Sequence, residues 1–109
     1  MISTQETVRR AAQGTLAARY DKMHLFGFDD GSEQHDESRV LEAGSDVVAL
    51  DLEPERLRLG LSICYDLRFP ELYRAMGEVD FIFVPSAFTE TTGKAHWDVL
   101  VRARAIENQ

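Results

Sequence analysis

The chain has 109 residues and a mass of 12.3 kDa, the size of one small domain. Its 44% hydrophobic and 28% charged residues exclude a collagen-like or wholly disordered chain. Nineteen acidic against twelve basic side chains leave a formal charge of −7, which repels phosphate backbones and anionic lipid and argues against nucleic acid and membrane surfaces as partners. The longest apolar runs, such as Phe81-Ile82-Phe83-Val84, fall far short of the roughly 20 residues a bilayer span needs, and no basic-then-apolar leader opens the chain. A single cysteine, Cys64, permits neither an internal disulfide nor a thiolate-based zinc site, and its simplest setting is a reducing, cytoplasmic one.

Residues 2–13 fit neither a helix nor a strand period, because Arg9 and Arg10 interrupt the pattern of Val8, Ala11 and Ala12. Gln13-Gly14 signals a turn, and Leu16 to Tyr20 reads as a strand running into Lys22 and His24-Leu25-Phe26, with no clear strand partner upstream. Residues 29–38 are polar and acidic and read as a loop. Val47 to Leu52 is a short strand, turned by Glu53-Pro54-Glu55, and Leu57 to Cys64 becomes continuously apolar, as a strand entering a core does. Pro70 suits a first helical position, Glu71 faces the positive end of the helix dipole, Leu72, Tyr73 and Met76 continue the helix, and Gly77 stops it. Val79 to Val84 reads as a second buried strand closed by Pro85. Strand, short helix, strand is the right-handed crossover of a mostly parallel sheet, so the fold class is α/β. In the last helix, Lys94 to Gln109, residues His96, Val99, Leu100, Ala103 and Ile106 form one apolar stripe, and Thr91-Thr92 supply caps.

Cys64 stands at the C-terminal end of a strand just before a helix, where open α/β sheets place their ligands. Helix-terminal N–H groups there favour a thiolate and can hold an oxyanion. A nucleophilic cysteine also needs a base or a nearby cation, and none of His24, His35 and His96 has a local spacing that ties it to Cys64. Position alone leaves both a buried, inert cysteine and a working thiol open.

Residues 63–72, Ile-Cys-Tyr-Asp-Leu-Arg-Phe-Pro-Glu-Leu, resemble the nucleophile segment of the nitrilase (carbon–nitrogen hydrolase) superfamily, in particular the amidase branch that includes omega-amidase and deaminated glutathione amidase. Three further segments, in the same order as in the family, carry the resemblance: Tyr20 to Phe26, similar to the segment with the family's lysine; Glu37-Ser38 followed by Gly44, similar to that with its second glutamate; and Val84 to Thr89 with Thr92-Gly93, Ala95-His96-Trp97 and Arg102 to Gln109, similar to the downstream strand and helix. The resemblance implies the central portion of a four-layer α-β-β-α sandwich, with residues 1–109 a partial domain. It implies hydrolysis of non-peptide carbon–nitrogen bonds, such as omega-amides of dicarboxylic acids, with no metal and no organic cofactor, by a chain that can form a homo-oligomer.

The same resemblance makes Cys64 the nucleophile that forms an acyl-enzyme, Lys22 the cation that stabilises thiolate and oxyanion, and Glu37 the carboxylate that positions substrate and lysine. It makes the Tyr65 N–H an oxyanion donor, and it puts Phe88 and Thr89, with His96 and Trp97, beside the substrate, while Arg68, Glu71, Arg104 and Glu107 read as ion-pairing and capping residues around the elbow. The family site also has a general-base glutamate well upstream of the lysine. Glu6 precedes Lys22 by too few residues to match it, so that base and the family's C-terminal part are absent from the 109 residues. Loss of a general base costs ~10²–10⁴-fold in rate, which motivates an alternative: a catalytically dead chain that associates with a complete homologue. A thiol redox sensor is a third reading, resting on the lone cysteine alone.

Overall fold

The computed structural model describes residues 6–10 and 14–109, with side chains from Gly14 onward. Ala11, Ala12 and the Val8 side chain, part of the ambiguous opening segment, lie outside the described residues. Within that segment Glu6–Arg10 forms strand β1 and pairs antiparallel with β2 (Leu16–Asp21), Glu6 opposite Asp21. The first strand thus has an upstream partner that its sequence conceals. The acidic stretch read as a loop is a hairpin, β3 (Gly27–Asp29) against β4 (Gln34–Asp36), followed by a single 3₁₀ turn at Glu37–Arg39. Its tip is closed by Asp30, whose Oδ1 accepts from the backbone of Ser32 and Glu33 and from the Ser32 hydroxyl. These bonds hold the Asp30 carboxyl down at about 2, the Glu33 N–H first among them.

The central sheet runs β5 (Ala49–Leu52), β6 (Leu57–Leu61), β7 (Phe81–Phe83), antiparallel then parallel. Between β6 and β7 the chain makes a 3₁₀ elbow, Cys64–Arg68, and helix α1 (Pro70–Ala75), with Pro70 in the first turn and Gly77 leaving at φ 73°. Gly60 and Ser62 face α1: a β-carbon on Gly60 would run into the Met76 sulfur, and the Tyr73 hydroxyl donates to Ser62 Oγ at 3.1 Å. The two-residue period then sends Leu59, Leu61 and Ile63 to the opposite face, where they are also buried. A strand covered on both sides explains the continuous apolar run from Leu59 to Ile63. The core joins Tyr20 of β2 to Leu61, Ile63, Leu67, Leu72, Tyr73 and Met76.

Two expectations are corrected here. Strand β7 is shorter than 79–84, and its outer residues are not buried: Phe81 and Phe83 share the face of Leu59 and Leu61 but are 54% and 46% exposed. The last helix is also turned relative to the predicted stripe. It begins as one α turn, α2 (Glu90–Thr92), capped by the Thr89 hydroxyl, which accepts from Thr92 N–H, rather than by Thr91 or Thr92. It widens into a π-helical turn at Gly93–Trp97 and continues as α3 (Asp98–Asn108). Val99, Ile106 and His96 are exposed, whereas Trp97, Leu100 and Arg104 face inward. The inward face is one residue displaced from the stripe because Arg104 takes a core position: its Nε donates to the Leu67 carbonyl at 2.9 Å, and its guanidinium lies over the Tyr73 ring.

Candidate active site

Strand β6 ends at Leu61, three residues before the thiol, and the chain then turns sharply. Cys64 has φ 46°, a left-handed conformation that costs a non-glycine residue of order 1–3 kcal/mol. The bonds around it hold it there. Cys64 N–H donates to the Pro85 carbonyl at 2.9 Å, and the two residues before it are fixed by Ser62 N–H to the Phe83 carbonyl and Ile63 N–H to Asp66 Oδ2. The elbow lifts a half-buried sulfur out of the sheet. The Tyr65 N–H is the backbone donor that directly follows the thiol residue in this elbow.

Cys64 opens on a cavity of about 340 Å³. Its walls include Phe26, Glu37, Tyr65, Arg68, Phe88 and Thr89, so four segments distant in sequence meet here: the turn after β2, the turn after β4, the elbow after β6 and the segment after β7. Phe26 stacks edge-on against Tyr65, and Phe88 against Trp97, which gives the cavity an aromatic lining. Behind the wall lies Lys22, with no solvent exposure. Its Nζ donates to Glu37 Oε2 at 2.7 Å, and the same oxygen accepts the Phe26 N–H at 2.8 Å. A buried ammonium is stable only when paired, and Glu37, which lines the cavity, is the carboxylate that reaches it among the described residues. The Lys22 backbone is fixed as well, because its carbonyl accepts from Gly44 N–H at 2.8 Å and a β-carbon at Gly44 would run into the Asp21 carbonyl oxygen.

The structure therefore gathers Glu37, Cys64, Tyr65, Phe88 and Thr89 on one cavity and joins Lys22 to it through Glu37. Arg104 and Glu107 pair at 2.9 Å behind the elbow, as an ion-pairing role requires, and Glu71 sits exposed in the first turn of α1. Arg68 is placed differently from its structural reading. It lines the cavity, lies over the Phe88 ring and bonds His96 Nδ1 at 3.1 Å. His96 and Trp97 stand one layer back from the cavity wall. Among the described residues no three His, Cys, Asp or Glu side chains cluster as a metal site would, and no helix is long and apolar enough to cross a membrane.

Residues 8–109 match the carbon-nitrogen hydrolase family. The chain belongs to that family. It is 49% identical over 102 residues to deaminated glutathione amidase of Dictyostelium discoideum, covering 90% of this chain and 34% of the relative. It is 42% identical over 99 residues to human omega-amidase NIT2, covering 88% and 35%. Among solved structures, the NitFhit protein of Caenorhabditis elegans superposes with a TM-score of 0.82 at 41% identity, over 98% of this chain and 26% of that one. The chain thus has the α/β fold of nitrilase-type proteins and spans about a third of the length of the curated relatives it matches.

Proposed function

We propose that this carbon–nitrogen hydrolase chain is the nucleophile-bearing part of an amidase that cleaves small amides, omega-amides of dicarboxylic acids foremost. Cys64 Sγ attacks the amide carbon, and the tetrahedral oxyanion rests on the Tyr65 N–H with the Lys22 ammonium behind it. The C–N bond breaks, the thiol proton leaves with the nitrogen as ammonia, and water then cleaves the thioester to the free acid. Glu37 holds Lys22 in place, while Phe88 and Thr89 border the substrate. The Arg68 guanidinium on the cavity wall suits the free carboxylate at the far end of such an amide. The observation that carries this reading is Glu37, which lines the same cavity as Cys64 and accepts from the buried Lys22 ammonium behind it. The names of the amidase relatives support it, as does the lone cysteine for a reducing, cytoplasmic setting. The test is ammonia release from succinamic acid by the parent chain and by Cys64→Ala. The proposal requires activity in the first and none in the second; equal release from both refutes it.

One observation favours a second reading, in which the chain works by associating with a further copy or with a complete homologue. Phe81 and Phe83 form an exposed apolar strip on an edge strand. Size-exclusion chromatography of the chain alone and mixed with a complete homologue distinguishes the two, since a stable monomer in both samples removes this alternative.

A further inference from the structure

Asp66 is wholly buried, yet it does not line the cavity. A carboxylate has about four lone-pair positions, and here all four are used. Oδ1 accepts from the His24 N–H at 3.0 Å and from His24 Nδ1 at 2.7 Å. Oδ2 accepts from the Tyr20 hydroxyl at 2.6 Å and from the Ile63 N–H at 2.9 Å. The Tyr20 hydroxyl in turn accepts from the Met23 N–H at 3.1 Å. Three of the four donors to Asp66 thus come from residues that flank Lys22 on either side, and the fourth is the residue directly before Cys64. The His24 ring, stacked on Phe69 at 3.7 Å, adds a second tie between the same two segments.

We propose that Asp66 is a positioning residue of the Cys64 site: its carboxylate fastens the turn that carries Lys22 to the elbow that carries Cys64. The inference rests on the reading of Lys22 as the cation that serves the thiol. Lys22 and Cys64 are 42 positions apart, and Asp66 is the buried group whose hydrogen bonds reach the neighbours of both. Asparagine is no substitute. It keeps one acceptor oxygen and presents an NH₂ donor to the donors that met the other, so one side of the clamp is lost.

The experiment measures the rate at which iodoacetamide alkylates Cys64, the only thiol in the chain, across pH. The parent is compared with Lys22→Ala, Asp66→Asn, Tyr20→Phe and Tyr73→Phe, each checked for folding by circular dichroism. The ionisable groups gathered around the elbow are Tyr20, Lys22, His24, Glu37, Tyr65, Asp66, Arg68, Tyr73 and Arg104. Deleting the Asp66 anion alone would ease thiolate formation, so an upward move of the alkylation midpoint in Asp66→Asn reports a displaced Lys22 and not a changed charge. Asp66→Asn and Tyr20→Phe are expected to raise the midpoint by about one pH unit, in the same direction as Lys22→Ala. Tyr73→Phe, which removes an equally buried hydroxyl tied to Ser62 instead, leaves it at the parent value. Should Asp66→Asn fail to fold, Tyr20→Phe decides, since it keeps the carboxylate and cuts one tie. A midpoint at or below the parent's in Tyr20→Phe and in folded Asp66→Asn, with Lys22→Ala raised, overturns the role of Asp66 alone. An unmoved midpoint in Lys22→Ala overturns the site reading and this inference with it.

Discussion

Lys22 shows how far a residue's surroundings outweigh its local sequence. Taken in its segment it is a strand-end lysine of the kind that solvent usually covers; in the folded chain it has no exposure and one carboxylate partner at 2.7 Å. The pair's asymmetry makes a prediction. Glu37→Gln leaves the ammonium buried without a counter-charge, which costs about 3 kcal/mol, while Lys22→Met removes the buried charge and leaves Glu37, at 26% side-chain exposure, able to reach water. Urea denaturation of the two variants should therefore place Glu37→Gln as the less stable, although both lose ammonia release. A more stable Glu37→Gln would show that the pair is not the ammonium's main support. The cysteine, lysine and glutamate were legible only as a set of segments in a familiar order, since no spacing along the chain ties residues 22, 37 and 64 together. Arg68 reads in the sequence as an ion-pairing or capping group because a guanidinium at the end of an elbow, just before a helix, has that look. Only the approach of Phe88 and His96 from residues 88–96 shows that it borders a cavity.

At the level of elements, the sequence was most readable where one physical cause acts alone. The apolar run into Ile63, Pro70 at the head of α1 and the positive φ of Gly77 each follow from a single local rule. It was least readable where two causes compete. The acidic stretch 29–38 has a loop's composition, yet Asp30 folds it back by accepting three bonds at the tip. The last helix has an apolar stripe, yet the Leu67 carbonyl at the elbow needs a donor, and Arg104 turns inward to supply it. Gly44 belongs to the same class: nothing in its neighbours marks it, but the close pass of the chain over Asp21 leaves no room for a side chain. Gly44→Ala should push this crossing apart, weaken the Gly44 N–H bond to the Lys22 carbonyl, and destabilise the chain by about 1–3 kcal/mol. Gly27→Ala, with open space around its β-carbon, is the matched control. Equal thermal midpoints for the two variants would mean that the crossing yields without cost.

For the molecule as a whole, the buried phenols make stability sensitive to alkali. Burial, then the bond to the Asp66 carboxylate, pushes the Tyr20 hydroxyl far above its ordinary value of 10.0. Burial pushes Tyr73 up to about 12, against the partial relief of its bond to Ser62. Both groups therefore stay protonated in the folded chain after they have ionised in the unfolded one. Their contribution is fully present below pH 10, where neither state ionises, and it drains away as pH rises from 10 toward the folded values, because the unfolded chain is the one that releases protons. With two such groups the unfolding free energy should fall most steeply between pH 10 and 12, by up to about 3 kcal/mol per pH unit, twice the limit for one group. Tyr73→Phe should cut that slope by about half without abolishing it, since Tyr20 remains. Urea midpoints at pH 9, 10, 11 and 12, read beside phenolate absorbance, measure both slopes. The two tyrosines enter one core from different elements, Tyr20 from β2 and Tyr73 from α1, so their ionisation reports whether both elements leave that core together. A phenolate signal that precedes loss of secondary structure would show instead that one layer peels away first, and that the sheet pair and the helix do not unfold as a unit.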